Sequence, residues 1–136
     1  MNAQTSGEVI ALDVGSVRIG VARASRIVRL AEPLITLRND ESVWSELNSL
    51  IAAHDVHTIV VGLPRGLDGQ ETAQTTTVRQ FVEELGKRVD RPIVFQDEAL
   101  TSHKAEAELA ARNKPFAKED VDALAAVYIL EDYLAA

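Results

Sequence analysis

Apolar positions in the first third of the chain fall in short runs. Val9–Asp13 is a compact apolar stretch that closes on an acid, just before Gly15-Ser16, and Ile19–Ala24 and Val28–Leu37 follow after polar interruptions. Runs of this length, punctuated by turn residues, predict three strands joined by hairpins. The period then changes. From Ser42 to about His54, Val43, Leu47, Leu50 and Ile51 recur at three-to-four spacing, which predicts a helix. Thr58–Gly62 is dense enough in apolar residues for a buried central strand. Leu63–Thr72 carries Pro64, Gly66 and Gly69 and reads as a loop. Val78, Phe81, Val82 and Leu85 mark a long helix ending near Gly86–Asp90, and Pro92–Gln96 is a further strand with Asp97-Glu98 at its end. Thr101 to Arg112 is helical. After a break at Asn113–Pro115, a last helix starts near Lys118, with Val121, Leu124, Ala125, Tyr128 and Ile129 on one side. Strands that alternate with helices imply a largely parallel sheet covered on its faces, with the opening hairpins adding antiparallel strands at one edge. The class is a mixed α/β layer fold.

The whole chain narrows the choices. Its 136 residues suit one domain, and residues 8–136 carry all the patterning, while 1–7 are polar and aperiodic and read as a flexible N-terminus. There is no cysteine, so disulfides and thiolate metal ligands are excluded, and a reducing, cytoplasmic location is the expectation. No apolar run nears the ~18 residues that cross a bilayer, and Met1–Glu8 lacks a signal peptide's hydrophobic stretch. A net charge of −7 is not the basic footprint typical of a nucleic-acid binder. The charge is unevenly spread, however. Arg18, Arg23, Arg26, Arg29 and Arg38 face a single acid, Glu32, between positions 18 and 38, whereas nine acids meet four Lys/Arg from Asp97 onward. One part of the surface can meet phosphate while another stays acidic.

Sites in open α/β sheets collect at the carboxyl ends of strands. Asp13 ends the first strand, Asp97-Glu98 ends the last, and Asp120 and Asp122 open the final helix. One acid from each group can converge. Carboxylates without Cys, and with few His, favour hard cations such as Mg²⁺ or Mn²⁺. Two such ions held about 3.5–4 Å apart activate water and stabilise the leaving oxygen in phosphodiester cleavage. Each acid also has a purely structural reading: Asp13 as a turn residue, Asp97 or Glu98 as a cap for the helix near Thr101, and Asp120 and Asp122 as partners of a helix dipole. The set, not any member, carries the chemistry. His54, His57 and His103 are too scattered for a metal site, and Trp44 reads as a helix residue packing on the core.

Four ordered strings then carry a resemblance: Leu12-Asp13-Val14-Gly15-Ser16-Val17-Arg18-Ile19-Gly20-Val21-Ala22; Val61-Gly62-Leu63-Pro64 with Asp68-Gly69; Asp97-Glu98-Ala99-Leu100-Thr101-Ser102; and Val121-Asp122-Ala123-Leu124-Ala125-Ala126. In order and spacing they resemble the motifs of the YqgF/RuvX family of the RNase H-like superfamily, over about residues 9–134. The resemblance implies an RNase H-like fold with a central five-stranded mixed sheet. It also implies metal ligation and catalysis by Asp13, Glu98 and Asp122, with two Mg²⁺ or Mn²⁺ ions and with Asp97 and Asp120 supporting or solvated. Candidate nucleic-acid contacts are Arg18 beside Asp13, Arg65 on the loop after the central strand, Thr101 and Ser102 at a helix start, and Lys118. The family usually has Lys where this chain has Val17 and Arg where it has Ala99, and losing two cations beside the acids weakens the expected grip on phosphates.

The activity so implied is a metal-dependent endonuclease acting on structured nucleic acid. Its substrate is the 5′ end of precursor 16S rRNA, met in ribosome biogenesis on ribosomal particles, or a four-way DNA junction met in recombination. The first suits a monomer and the second a homodimer, because symmetric resolution needs two sites about a two-fold axis. Two other classes compete. A sugar kinase or actin-like ATPase shares an Asp-x-Gly hairpin but closes two such domains around a nucleotide. A catalytically silent RNase H-like module would bind nucleic acid without cutting it.

Overall fold

The computed structural model describes residues 7–66, 68–98 and 101–136, and for 101–104 the backbone alone. The chain runs β1 (Glu8–Val14), β2 (Arg18–Ser25), β3 (Glu32–Arg38), α1 (Val43–Ala53), β4 (Val56–Pro64), α2 (Ala73–Arg88), β5 (Ile93–Glu98), α3 (Thr101–Ala111) and α4 (Lys118–Ala135). This is the expected order of elements. The five strands form one sheet in the order β3-β2-β1-β4-β5. β1–β2 and β2–β3 pair antiparallel, while β1–β4 and β4–β5 pair parallel.

Strand alternation divides the core in two. Ile10, Leu12 and Val14 of β1 join Ile59, Val61 and Leu63 of β4 beneath α1 and α2, with Val43, Leu47, Ile51, Val78 and Leu85 facing them. Val9 and Ala11 point the other way, with Ala22, Ala24 and Val60, against α3 and α4. Trp44 packs on the first core and stacks on Phe81 at 5.1 Å. Far from the carboxyl ends of the parallel strands, Arg23 forks onto Glu8 at 2.7 and 2.5 Å and also reaches Glu32, tying β1, β2 and β3 together.

Helix α4 is buried along a continuous run from Ala123 to Leu130 rather than along one side. One flank lies on the sheet, and the other is covered by Ala105 and Leu109 of α3. Its first turns come so close to β2 that a Cβ on Gly20 would sit 1.9 Å from the Asp122 carbonyl oxygen; one on Gly62 would meet the Ile129 side chain at 2.4 Å.

Three boundaries differ from the sequence pattern. The apolar run from Val28 does not begin a strand. The Ser25 hydroxyl accepts the Ile27 and Val28 amides at 3.1 and 3.2 Å, Arg29 takes a left-handed φ of 61°, and β3 starts only at Glu32. Ile27, Val28 and Leu30 are left exposed. β4 continues through Leu63 and Pro64, which the pattern assigns to a loop, because both still pair with Asp97 and Glu98 of β5. For the same reason Asp97 and Glu98 belong to β5 itself. The loop then ends at Thr72, whose hydroxyl accepts the Thr75 amide while the Thr75 hydroxyl accepts the Thr72 amide, a reciprocal cap on α2.

Gly20→Ala should force α4 off the sheet, since the obstructing atom is backbone. A loss of about 1–3 kcal/mol or more is expected, read as a lower urea midpoint with an unchanged m-value.

Candidate active site

Pleating and register decide which acids meet. On β1 the side chains of Val9 and Ala11 face α4, so Asp13, two residues further, faces α4 as well. It pairs across the hairpin with Gly20, the residue against which the Asp122 backbone rests. Asp13 and Asp122 are thereby brought together from 109 positions apart in sequence, and their charges repel. On β5, Val94 packs toward the α4 side and Ile93 toward the α2 side. Glu98 therefore shares Asp13's face, and Asp97 points to the opposite one. Continuing the Leu12↔Val61 register puts Asp13 beside Gly62, and Glu98 pairs with Pro64. Glu98 thus stands two strand spacings from Asp13, about 9–10 Å sideways, at the same end of the sheet.

Asp13 keeps a little solvent contact but is almost wholly surrounded by protein. This burial, reinforced by the Asp122 carboxylate, pushes its pKa from 3.8 up to about 6. Asp122 is differently placed. Its Oδ2 accepts a 2.6 Å hydrogen bond from Arg18 Nε, and the same pairing, with help from Glu119, raises the arginine's pKa further. Glu98 is half-buried, and its Oε1 has no contact with solvent. Among the described residues, no group of three or more His, Cys, Asp or Glu is gathered closely enough to hold one metal ion. The juxtaposed oxygen donors are those of Asp13 and Asp122, with Glu98 at the same end of the sheet. Such a donor set suits a hard divalent cation, which would offset both the burial and the Asp122 charge that raise Asp13.

The other candidates take varied places. Arg18 is bound to Asp122 in an ion pair. Arg65 follows β4; its amide donates to the Glu98 carbonyl at 3.1 Å, and its guanidinium lies 3.5 Å from Asp97 and 3.6 Å from Glu71. Asp97 is thus an exposed partner of Arg65 on the α2 side. Asp120 accepts the Ala117 amide at 2.9 Å and caps α4. Lys118 is the exposed first residue of α4. Thr101 and Ser102 begin α3, but their side chains, that of His103, and the whole of Ala99 and Leu100 lie outside the described residues, as do residues 1–6 and Leu67. Val17 stands exposed on the β1–β2 turn.

Two positioning residues escape sequence reasoning. Asn39 Nδ2 donates to the Gly15 carbonyl at 2.8 Å, and Gln74 Nε2 donates to the Val14 carbonyl at 3.1 Å, so the turn after Asp13 is braced from β3 and from α2. Nothing local marks an amide side chain that finds its partner through the fold.

A mixed sheet in this order, with helices on both faces and acids at the carboxyl ends of its parallel strands, defines an RNase H-like domain. Among solved structures, the chain is similar to T. thermophilus RuvC in complex with Holliday junction substrate, with a TM-score of 0.52 and 14% identity over 93% of this chain and 94% of that one. The family model described as "RuvX: Holliday junction resolvase" matches residues 7–136, and the chain belongs to that family of nucleases. A Sulfurihydrogenibium protein described as "Putative pre-16S rRNA nuclease" is 41% identical over 128 residues, covering 93% of this chain and 88% of its own. A Roseiflexus protein of the same description is 41% identical over 132 residues, covering 94% of each.

Ionised Asp13 opposes folding. The native state keeps the Asp13 proton to about pH 6, while an unperturbed carboxyl releases it near 3.8. The native state therefore binds more protons across that window, and this residue's contribution to stability falls as pH rises through it. Asp13→Asn should accordingly be more stable than wild type in EDTA at pH 7.5, by on the order of 1–2 kcal/mol, with the gain shrinking toward pH 5. Urea midpoints of the two proteins at both pH values check this; a destabilised Asp13→Asn at pH 7.5 would contradict it.

Proposed function

We propose that this protein is a metal-dependent endonuclease that hydrolyses phosphodiester bonds in structured nucleic acid, its substrate being the 5′ region of precursor 16S rRNA. The observation that carries the reading is the juxtaposition of Asp13 and Asp122 on the face that Glu98 shares. In this reading Asp13, Asp122 and Glu98 hold two Mg²⁺ or Mn²⁺ ions, which when bound make water a nucleophile near neutral pH and stabilise the leaving oxygen. The chain's own residues prepare the place. Burial keeps Asp13 away from bulk water, and the Gly20 seat fixes Asp122 relative to it. Arg18 balances Asp122, and Asn39 and Gln74 hold the turn that carries Asp13 into the site. The ribosomal substrate follows the description shared by relatives at 41% identity over most of the chain.

A second substrate has its own support. The family model's description is of a Holliday junction resolvase, and T. thermophilus RuvC, which shares the fold, was solved with a junction. Symmetric resolution of a four-way junction calls for two sites about a two-fold axis, hence a homodimer.

The test is cleavage in Mn²⁺ by wild type and Asp13→Asn on two labelled substrates, a four-way DNA junction and a 5′-extended 16S precursor fragment. Cutting of the RNA by wild type alone is expected, with the variant at least about a hundredfold slower, as for loss of a group that stabilises transition-state charge. An active Asp13→Asn enzyme refutes the assignment, and junction cutting by a sedimenting dimer transfers it to DNA. A readout independent of activity accompanies this: millimolar Mn²⁺ should raise the Tm of wild type more than that of Asp13→Asn.

A further inference from the structure

The cross-strand register sets two arginines side by side. Arg18 of β2 pairs directly with Arg38 of β3, and two residues along, in the neighbouring row of the same face, Gly20 pairs with Thr36. Like charges facing each other across a ladder oppose pairing unless something offsets them. Both side chains border a recess of about 150 Å³, lined by Val17, Arg18, Thr36, Leu37, Arg38 and Glu119. The Thr36 hydroxyl donates to the Glu119 carbonyl at 2.7 Å, which ties the wall of the recess to the start of α4. The two cations are unequally offset. Arg18 is held at 2.6 Å by Asp122 and also feels the Glu119 charge, whereas Arg38 is 84% exposed and makes a loose ion pair with exposed Asp40 at 3.7 Å.

The position of this pair relative to the acids gives it a use. Asp13 pairs with Gly20 and Gly20 with Thr36, so these three share one row of the sheet. The arginines lie one row further toward the open end, a step of about 7 Å, with Arg38 two strands, about 10 Å, to the side of Asp13. That is too far to touch a phosphate lying at Asp13, and suited to one further along the same strand.

We infer that Arg38, with Arg18, forms a phosphate subsite in this recess that holds the nucleic-acid backbone beside the cleavage site. This rests on the proposed nuclease reading. The ligand is a phosphodiester group, from DNA or RNA alike, and the pair supplies cationic contact on the side of the site where Val17 offers none. Arg38 is a binding residue and touches no reacting atom.

The experiment compares wild type, Arg38→Gln, Arg38→Lys and Lys87→Gln, a control on the exposed end of α2. Binding of a fluorescent four-way DNA junction, and separately of a 5′-extended 16S precursor fragment, is followed by anisotropy in EDTA over a salt series. Turnover is measured in Mn²⁺. Arg38→Gln is expected to weaken binding roughly two- to fivefold, in the range of one exposed ion pair. It should also flatten the dependence of log K on log salt by about 0.9 for the duplex junction, or about 0.7 for single-stranded RNA. KM should rise with kcat unchanged, Arg38→Lys should recover much of the loss, and Lys87→Gln should match wild type. Equal binding and slope for Arg38→Gln and wild type, or the same loss in Lys87→Gln, would overturn the subsite. If the slope falls in Arg38→Gln but wild type cuts neither substrate, the subsite stands and the nuclease reading fails.

Discussion

The contact between the backbone of α4 and the bare face of Gly20 governs this molecule. A helix normally rides on a sheet through a layer of side chains. Here β2 presents a glycine where Asp122 passes, and the surrounding surface is built of small residues, Ala11, Ala22 and Ala24 from the sheet with Ala125 and Ala126 from the helix. The helix sinks until its main chain meets the strand. Glycine and alanine sacrifice buried apolar area at these positions, and the extended burial of α4 between sheet and α3 offsets that loss. The result is a fixed approach of Asp122 to Asp13, which no flexible side chain has to create.

That approach is electrostatically unfavourable. Asp13 loses hydration and gains a like-charged neighbour, and both effects raise its pKa. The opposite end of the same sheet shows the contrary arrangement. There Arg23 meets Glu8 with two parallel hydrogen bonds, and its guanidinium holds the Glu8 carboxyl below the usual range. Glu8's pairing adds stability above an unperturbed carboxyl's pKa and loses it as pH falls, whereas Asp13's burial works in the other direction. One end of β1 is built for cohesion, and the other holds an acid whose ionised form burial and a like charge disfavour.

The charge pattern fits the same division. The chain is acidic as a whole, yet the strand ends next to the carboxylates carry Arg18 and Arg38, and Arg65 stands after β4. The field at the carboxyl ends of the strands is set by these local cations and acids together, not by the net charge of −7 alone.

Much of this was legible in the residues alone. The order of strands and helices follows from periodicity, which depends only on neighbours a few positions away. The four ordered motifs identified the family, and the resemblance suggested Asp13, Glu98 and Asp122 as its site residues. Where local pattern met local hydrogen bonding it failed: Val28–Ala31 looks like strand, but the Ser25 hydroxyl and the left-handed Arg29 turn the chain there. Other features depended on tertiary structure. Adjacent acids Asp97 and Glu98 on one strand must face opposite sides, but which of them shares Asp13's face is decided only when β5 is set against its neighbours. Arg18 and Asp122, 104 residues apart, become partners only when α4 crosses β2. Arg38 comes to lie opposite Arg18 through the hairpin's register. Periodicity is a property of a segment, but facing, register and depth of packing are relations between segments, and these come into being only when the segments meet.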